Sequence, residues 1–131
     1  MSALILDANA YSNFMRGDAA MARAVRGAHE VHLPLIVLGE LLAGFAAGSH
    51  TKSNREILAR FMVEPRAHLM YLDEKTAQQY ADVYKWLRDS GRPIPANDLW
   101  IAALARQHRM PLLTLDKHFA GIPGVDLADL L

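Results

Sequence analysis

Two apolar runs, Ala3-Leu4-Ile5-Leu6 and Pro111-Leu112-Leu113-Thr114-Leu115, restrict the fold more than any other part of this sequence. Each is too short for a stable helix. Neither alternates polar with apolar as a half-exposed strand would, and continuous runs of this length fit strands buried on both faces of a parallel sheet. Each run leads directly into an aspartate, Asp7 and Asp116. Ligands of open α/β sheets bind in the crevice beyond the carboxyl ends of strands, so two strands deliver negative charge to one edge.

The rest of the chain alternates in the same sense. Asn9 to Phe14 reads as a short helix, Ala19 to Arg26 as a second closed by Gly27, and Val31-His32-Leu33 as a strand. Pro34 precedes a helix from Leu35 to Ala47 that stops near Gly48, Ser53 caps another through Met62 before Pro65, and His68 to Leu72 is a strand. Asp73 caps a long amphipathic helix to Ser90, with Ala77, Tyr80, Ala81, Tyr84 and Leu87 as its apolar stripe and Gly91 as its stop. The turn Arg92-Pro93-Ile94-Pro95 leads to a helix from Asn97 to His108, and Val125 begins a last short strand. This order implies an α/β fold with a central, mostly parallel β-sheet flanked by helices on both faces.

At 131 residues, about half of them apolar, the chain fits one domain spanning 1–131 that buries a core without staples. With no cysteine it has neither disulfides nor thiolate metal sites, which fits the cytoplasm. Asp7 breaks the first apolar run and Glu40 interrupts the longest, Leu33 to Ala47, so neither a signal peptide nor a membrane span is expected. Fourteen basic and fourteen acidic residues cancel, which argues against an indiscriminate nucleic-acid coat. If a cation compensates Asp7, Glu40, Asp98 and Asp116, fourteen basic residues face ten acidic ones, a basic rim around an acidic hole.

Taken singly, the four carboxylates have ordinary explanations. Asp7 can cap the next helix, Asp98 can favour the macrodipole of its own, and Asp116 can make an Asx turn toward Lys117 and His118. Glu40 is harder to dismiss. Its helical neighbours Ile36, Val37, Ala43 and Gly44 cannot pair with a charge, so its partner, an arginine or a metal, must come from elsewhere. Gathering ionised carboxylates within about 4 Å costs on the order of 4 kcal/mol per pair at an effective dielectric near 20, and a divalent cation removes that cost. Oxygen donors favour Mg2+ or Mn2+ over zinc.

The segments Leu4-Ile5-Leu6-Asp7-Ala8-Asn9, Val37-Leu38-Gly39-Glu40-Leu41-Leu42-Ala43-Gly44, Ile94-Pro95-Ala96-Asn97-Asp98-Leu99-Trp100-Ile101-Ala102-Ala103 and Leu112-Leu113-Thr114-Leu115-Asp116-Lys117-His118-Phe119 together resemble the PIN-domain ribonucleases. The likeness is specifically to VapC-type toxins of toxin–antitoxin pairs, and it covers nearly the whole chain. It implies that Asp7, Glu40, Asp98 and Asp116 form a metal site, supported through hydrogen bonds by Asn9 and Thr114. Ala8 departs from the pattern, which frequently has threonine or serine there, and removes that hydroxyl's supporting contacts.

The expected reaction is hydrolysis of an RNA phosphodiester by a metal-activated water, leaving 5′-phosphate and 3′-hydroxyl ends, with Glu40 holding metal or orienting the water. Candidate RNA contacts are Lys117, His118 and the helical series Lys85, Arg88, Arg92, although cations near a helix end are also favoured by its dipole. Trp86 and Trp100 read as core or dimer-interface aromatics. The resemblance further implies a homodimer and a VapB-like antitoxin, for which Phe45, Phe61 and Met62 offer a docking face. Competing readings are a PIN nuclease of general RNA processing and a non-catalytic interaction domain. A receiver-type phosphotransfer domain would leave Glu40 without a role.

Overall fold

The computed structural model describes residues 2–130. Strands β1 (Ala3–Leu6), β2 (Glu30–Pro34), β3 (Ala67–Met70) and β4 (Leu112–Leu113) form one sheet in the order β3-β2-β1-β4, with every adjacent pair parallel. Helices α1 (Ala8–Met15), α2 (Ala19–Gly27), α3 (Leu35–Ala47), α4 (Thr51–Met62), α5 (Glu74–Asp89) and α6 (Ala96–His108) flank it. Successive residues of a strand face opposite sides, and Leu4, Ile5 and Leu6 are all buried, so both faces of β1 are covered as expected. Ile5, Leu6, Leu112 and Leu113 are wholly inaccessible, each contributing roughly 1.5–3 kcal/mol by leaving water. The chain runs outward from β1 through β2 to β3, then returns to place β4 on the other side of β1. That reversal is the switch point at which such sheets open a crevice.

Several elements differ from the sequence expectation. β4 pairs over only two residues, because the Thr114 hydroxyl accepts from Asp116 N at 2.9 Å and turns the chain out of the ladder. β3 starts at Ala67 and ends at Met70, leaving Tyr71 exposed. α4 begins at Thr51, and Ser53 does not cap it: its hydroxyl donates back to His50 O at 3.3 Å. Val125 starts no strand; the single bridge there joins Leu112 to Leu127.

The stripe of α5 is also rotated. Thr76, Val83 and Leu87 are buried, whereas Ala77, Ala81 and Tyr84 face out. Thr76 turns inward because it completes a capping box with Asp73, so a polar residue starts the buried face. α6 is apolar nearly all round and buries Leu99, Ile101, Ala102, Ala103, Leu104 and Ala105, which fixes its first turn rigidly beside the sheet edge. Among the described residues, no helix is long and apolar enough to cross a membrane.

Candidate active site

Asp7 leaves β1 as the N-cap of α1. Its Oδ1 accepts 2.9 Å from Ala10 N, one of the amides a helix start leaves unpaired. Its Oδ2 accepts from the Thr114 hydroxyl, whose oxygen accepts in turn from Asp116 N. A chain of hydrogen bonds therefore ties the ends of β1 and β4 together and aims two aspartates at one place. Asp116 Oδ1 also accepts 2.9 Å from His118 N, opening the 3-10 turn Lys117–Phe119 that buried Phe119 anchors. The Asx turn is present, and it coexists with membership of the cluster.

Asp98 arrives from the first turn of α6, and Glu40 from the middle of α3. Glu40 finds its partner in the Asn97 side chain rather than in an arginine. All four carboxylates line one cavity of about 540 Å³, together with Ala8, Asn9, residues 95–97 and His118. No lysine or arginine is among the residues that line it.

The electrostatics follow from that lining. Asp7 is only 5% exposed, and its pKa is pushed up to about 6, first by burial and then by the charges of Asp116 and Asp98, against the bonds from Thr114 and Ala10 that favour the charged form. Glu40 is raised for the same two reasons, burial and the charge of Asp98, opposed by its bond to Asn97. The pKa of His118 is raised too, chiefly by its hydrogen bond to Asp98 and then by the charges of Asp116 and Asp98, which for an imidazole favour the charged form. Its Nδ1 lies 2.8 Å from Asp98 Oδ2 and 3.2 Å from Asp116 Oδ1, so one ring nitrogen faces both carboxylates. One donor atom from each of Asp98, Asp116 and His118 falls within 4.8 Å of the others, a spacing that one cation can span.

The structure thus gathers Asp7, Glu40, Asp98, Asp116, Asn9 and His118 at one cavity, with Thr114 just behind Asp7. Asn9 lines the cavity, but its side chain bonds none of the four carboxylates; only its carbonyl is engaged, accepting 2.8 Å from Asn13 Nδ2. Lys117 is exposed on the adjoining turn. Lys85 is paired with Asp89 at 2.6 Å, and Arg92 donates to Ala120 O at 2.8 Å while covering the Trp86 ring. Phe45 lines a larger groove of about 680 Å³ between α1, α3 and α4, whereas Phe61 is core, edge-on to Tyr11 and Phe14. Sequence reasoning passed over Asn97 as a site residue and read His118 as a phosphate contact or a solvated turn, not as a partner of Asp98. The signal for Asn97 was its place beside Asp98 in a first helical turn, and for His118 its place two residues after a capping aspartate.

Comparison with known proteins agrees with this geometry. The model of the PIN domain matches residues 4–125. Ribonuclease VapC5 of Mycobacterium tuberculosis is 30% identical over 97 residues, 74% of this chain and 72% of that relative. Ribonuclease VapC4 of the same organism is 29% identical over 99 residues, 76% of each chain. Among solved structures, VapBC2 from Rickettsia felis bound to a DNA fragment from its promoter superposes with a TM-score of 0.86 at 22% identity, covering 96% of this chain and 97% of the other. VapBC-5 from M. tuberculosis, a member of the VapBC family of toxin–antitoxin systems, gives 0.70 at 26% identity, covering 97% and 98%. A parallel sheet that brings four carboxylates to its switch point, matched to the family model from β1 to beyond β4, places this chain in the PIN-domain family.

Proposed function

We propose that this protein is an endoribonuclease that hydrolyses RNA phosphodiester bonds with the help of a divalent cation, Mg2+ or Mn2+, and acts as the toxin of a toxin–antitoxin pair. The observation that carries the chemistry is the convergence of Asp7, Glu40, Asp98 and Asp116, from four separate elements, on one cavity lined by no lysine or arginine. Relatives named ribonucleases supply the reaction class.

The residues fit a hard cation. Their donors are mostly carboxylate oxygens, and the upward shifts of Asp7 and Glu40 are the penalty that a cation would relieve. Asp7, Asp98 and Asp116 would hold it, with Glu40 at the margin. When bound, the cation supplies Lewis acidity, neutralising charge on the phosphoryl oxygens and making an attacking water more acidic.

The chain's own residues do the rest. Ala10 N–H and the Thr114 hydroxyl hold the Asp7 carboxylate in one orientation. Glu40, with its raised pKa, is suited to accept the proton of the attacking water. The water oxygen bonds to phosphorus, the bond from phosphorus to the 3′-oxygen breaks, and that oxygen leaves with a proton from solvent. Ends are 5′-phosphate and 3′-hydroxyl, and the ribose 2′-hydroxyl takes no part.

Residues 1–131 serve in this reading as one cytoplasmic domain that pairs with itself and with a VapB-like antitoxin, after the complexes seen for its structural relatives. The test is cleavage of total RNA by purified protein in Mg2+ or Mn2+, beside EDTA and Asp7→Asn controls, with mapping of the ends. Metal-dependent cuts that leave 5′-phosphates and vanish in the variant are expected. Equal cutting by Asp7→Asn, or ends bearing 2′,3′-cyclic phosphate, overturns the mechanism.

A further inference from the structure

A second cavity, of about 390 Å³, adjoins the acidic one and is built of different chemistry. Tyr80, Tyr84, Leu87 and Arg88 of α5 form one wall, and Ile94 and Ala96, on the segment that enters α6, form the other. Ala96 lines both cavities, so the two meet across a single small residue at the start of the helix that carries Asp98. Tyr84 is 52% exposed, although its neighbours on the sequence pattern led to the expectation that it packs inward. Tyr80 is fixed beside it, tilted against Trp100 with ring centroids 4.1 Å apart.

The three cations of this region are not equivalent. Lys85 is tied to Asp89, and Arg92 to Ala120 O and the Trp86 ring. The Arg88 guanidinium makes no hydrogen bond or ion pair with any described residue, and Arg88 is the one of the three that lines the cavity. An exposed aromatic face, an apolar floor and an uncommitted guanidinium, opening toward a phosphodiester-cleaving site, match one nucleotide: a base to stack and a phosphate to pair.

We infer that this cavity is a nucleotide subsite of the RNA substrate, in which Tyr84 stacks a base flanking the scissile bond and Arg88 pairs with a neighbouring phosphate. The inference rests on the ribonuclease reading. It adds a specificity determinant outside the acidic cluster, tolerant of base identity because stacking uses the face common to all bases.

The test pairs kinetics with binding. On a short oligoribonucleotide containing a mapped cut site, Tyr84→Ala raises KM about tenfold with kcat unchanged, whereas Tyr84→Phe retains the wild-type KM because the ring is kept. Arg88→Gln weakens binding and lowers the slope of log affinity against log salt by about one. An abasic substitution beside the cut site abolishes the difference between wild type and Tyr84→Ala.

Binding of the same labelled oligoribonucleotide, followed by fluorescence anisotropy in EDTA, separates the two readings. If wild type cuts nothing yet binds RNA through Tyr84, the nuclease reading fails and the subsite stands. An unchanged KM and an unchanged affinity in Tyr84→Ala overturn the subsite. So does a loss of affinity that sedimentation velocity traces to dissociation of a dimer, since the cavity would then be an interface between two copies of the chain.

Discussion

Asp7 and Asp73 are built from the same parts and behave oppositely. Each is the N-cap of a helix, each accepts a hydrogen bond from the backbone amide three residues on, at 2.9 Å from Ala10 and 3.0 Å from Thr76, and each has a threonine hydroxyl beside it. Yet the pKa of Asp73 is lowered, chiefly by the Thr76 amide, while that of Asp7 rises to about 6. The difference lies in what surrounds the cap. Asp73 is exposed and receives a further 2.9 Å bond from Gln107 Nε2. Asp7 is buried next to Asp98 and Asp116, and there desolvation and like charge outweigh the same two donors. A capping aspartate becomes a ligand candidate when its capping bonds lose that contest.

The largest effects should separate these two residues. Asp7→Asn is expected to lower RNA cleavage at least about a hundredfold. In buffer without divalent cations at pH 7 it should also stabilise the fold, by up to about 3 kcal/mol, because it removes a carboxylate whose ionised form the folded state disfavours. The sign follows from the shift. The folded-state pKa lies above the unfolded value, so this cost is absent below about pH 4 and grows as pH rises toward about 6. Asp73 runs the other way: its lowered pKa gives stability that is present above the unfolded value and lost as pH falls through the folded one. Urea titrations of wild type, Asp7→Asn and Asp73→Asn across pH 3 to 7 would show the two slopes, and parallel slopes would break the comparison.

Next in size is the response to a cation. At a hundred times its dissociation constant, Mn2+ or Mg2+ should stabilise the protein by about 2.7 kcal/mol, roughly 10 °C in Tm for a chain of this size. Asp98→Asn should lose most of that shift and Asp73→Asn none, as differential scanning fluorimetry would read. Thr114→Val removes the hydroxyl that favours ionised Asp7, so its pKa should climb further. Cleavage at pH 7 should fall about tenfold and recover in part at higher pH. The smallest effect belongs to Asp73→Ala, which loses the capping box of α5, lowers Tm by a few degrees and leaves cleavage per folded molecule unchanged.

Much of this was legible before the fold. The continuous apolar runs 3–6 and 111–115 read as buried strands, which holds for 3–6 and for Leu112–Leu113 of the second run, and an aspartate following each pointed to the edge of the sheet that is acidic. Glu40 stood out because nothing within a helical turn could neutralise it. Polarity hid the rest. Thr76 reads as a surface residue but is buried by its capping box, which rotates α5 and exposes Tyr84. His118 reads as a solvated turn, because its distance from Asp98 depends on how α6 and the turn after β4 pack together, twenty residues apart in sequence. Asn97 sits beside Asp98 in the chain, but its bond to Glu40 crosses from α6 to α3. Local patterns foretold the elements, and contacts between elements chose which polar residues serve the site.

A divalent cation that completes the acidic cavity, as proposed, would be felt first by the Asp7 carboxyl. Its carbon-13 shift, followed against pH by NMR without and with Mg2+, should show a midpoint near pH 6 in the cation-free protein and a midpoint below the ordinary carboxylate range once Mg2+ is added. A midpoint near 4 that Mg2+ leaves unmoved would contradict the claim, and would make Asp7 a helix cap of the same kind as Asp73.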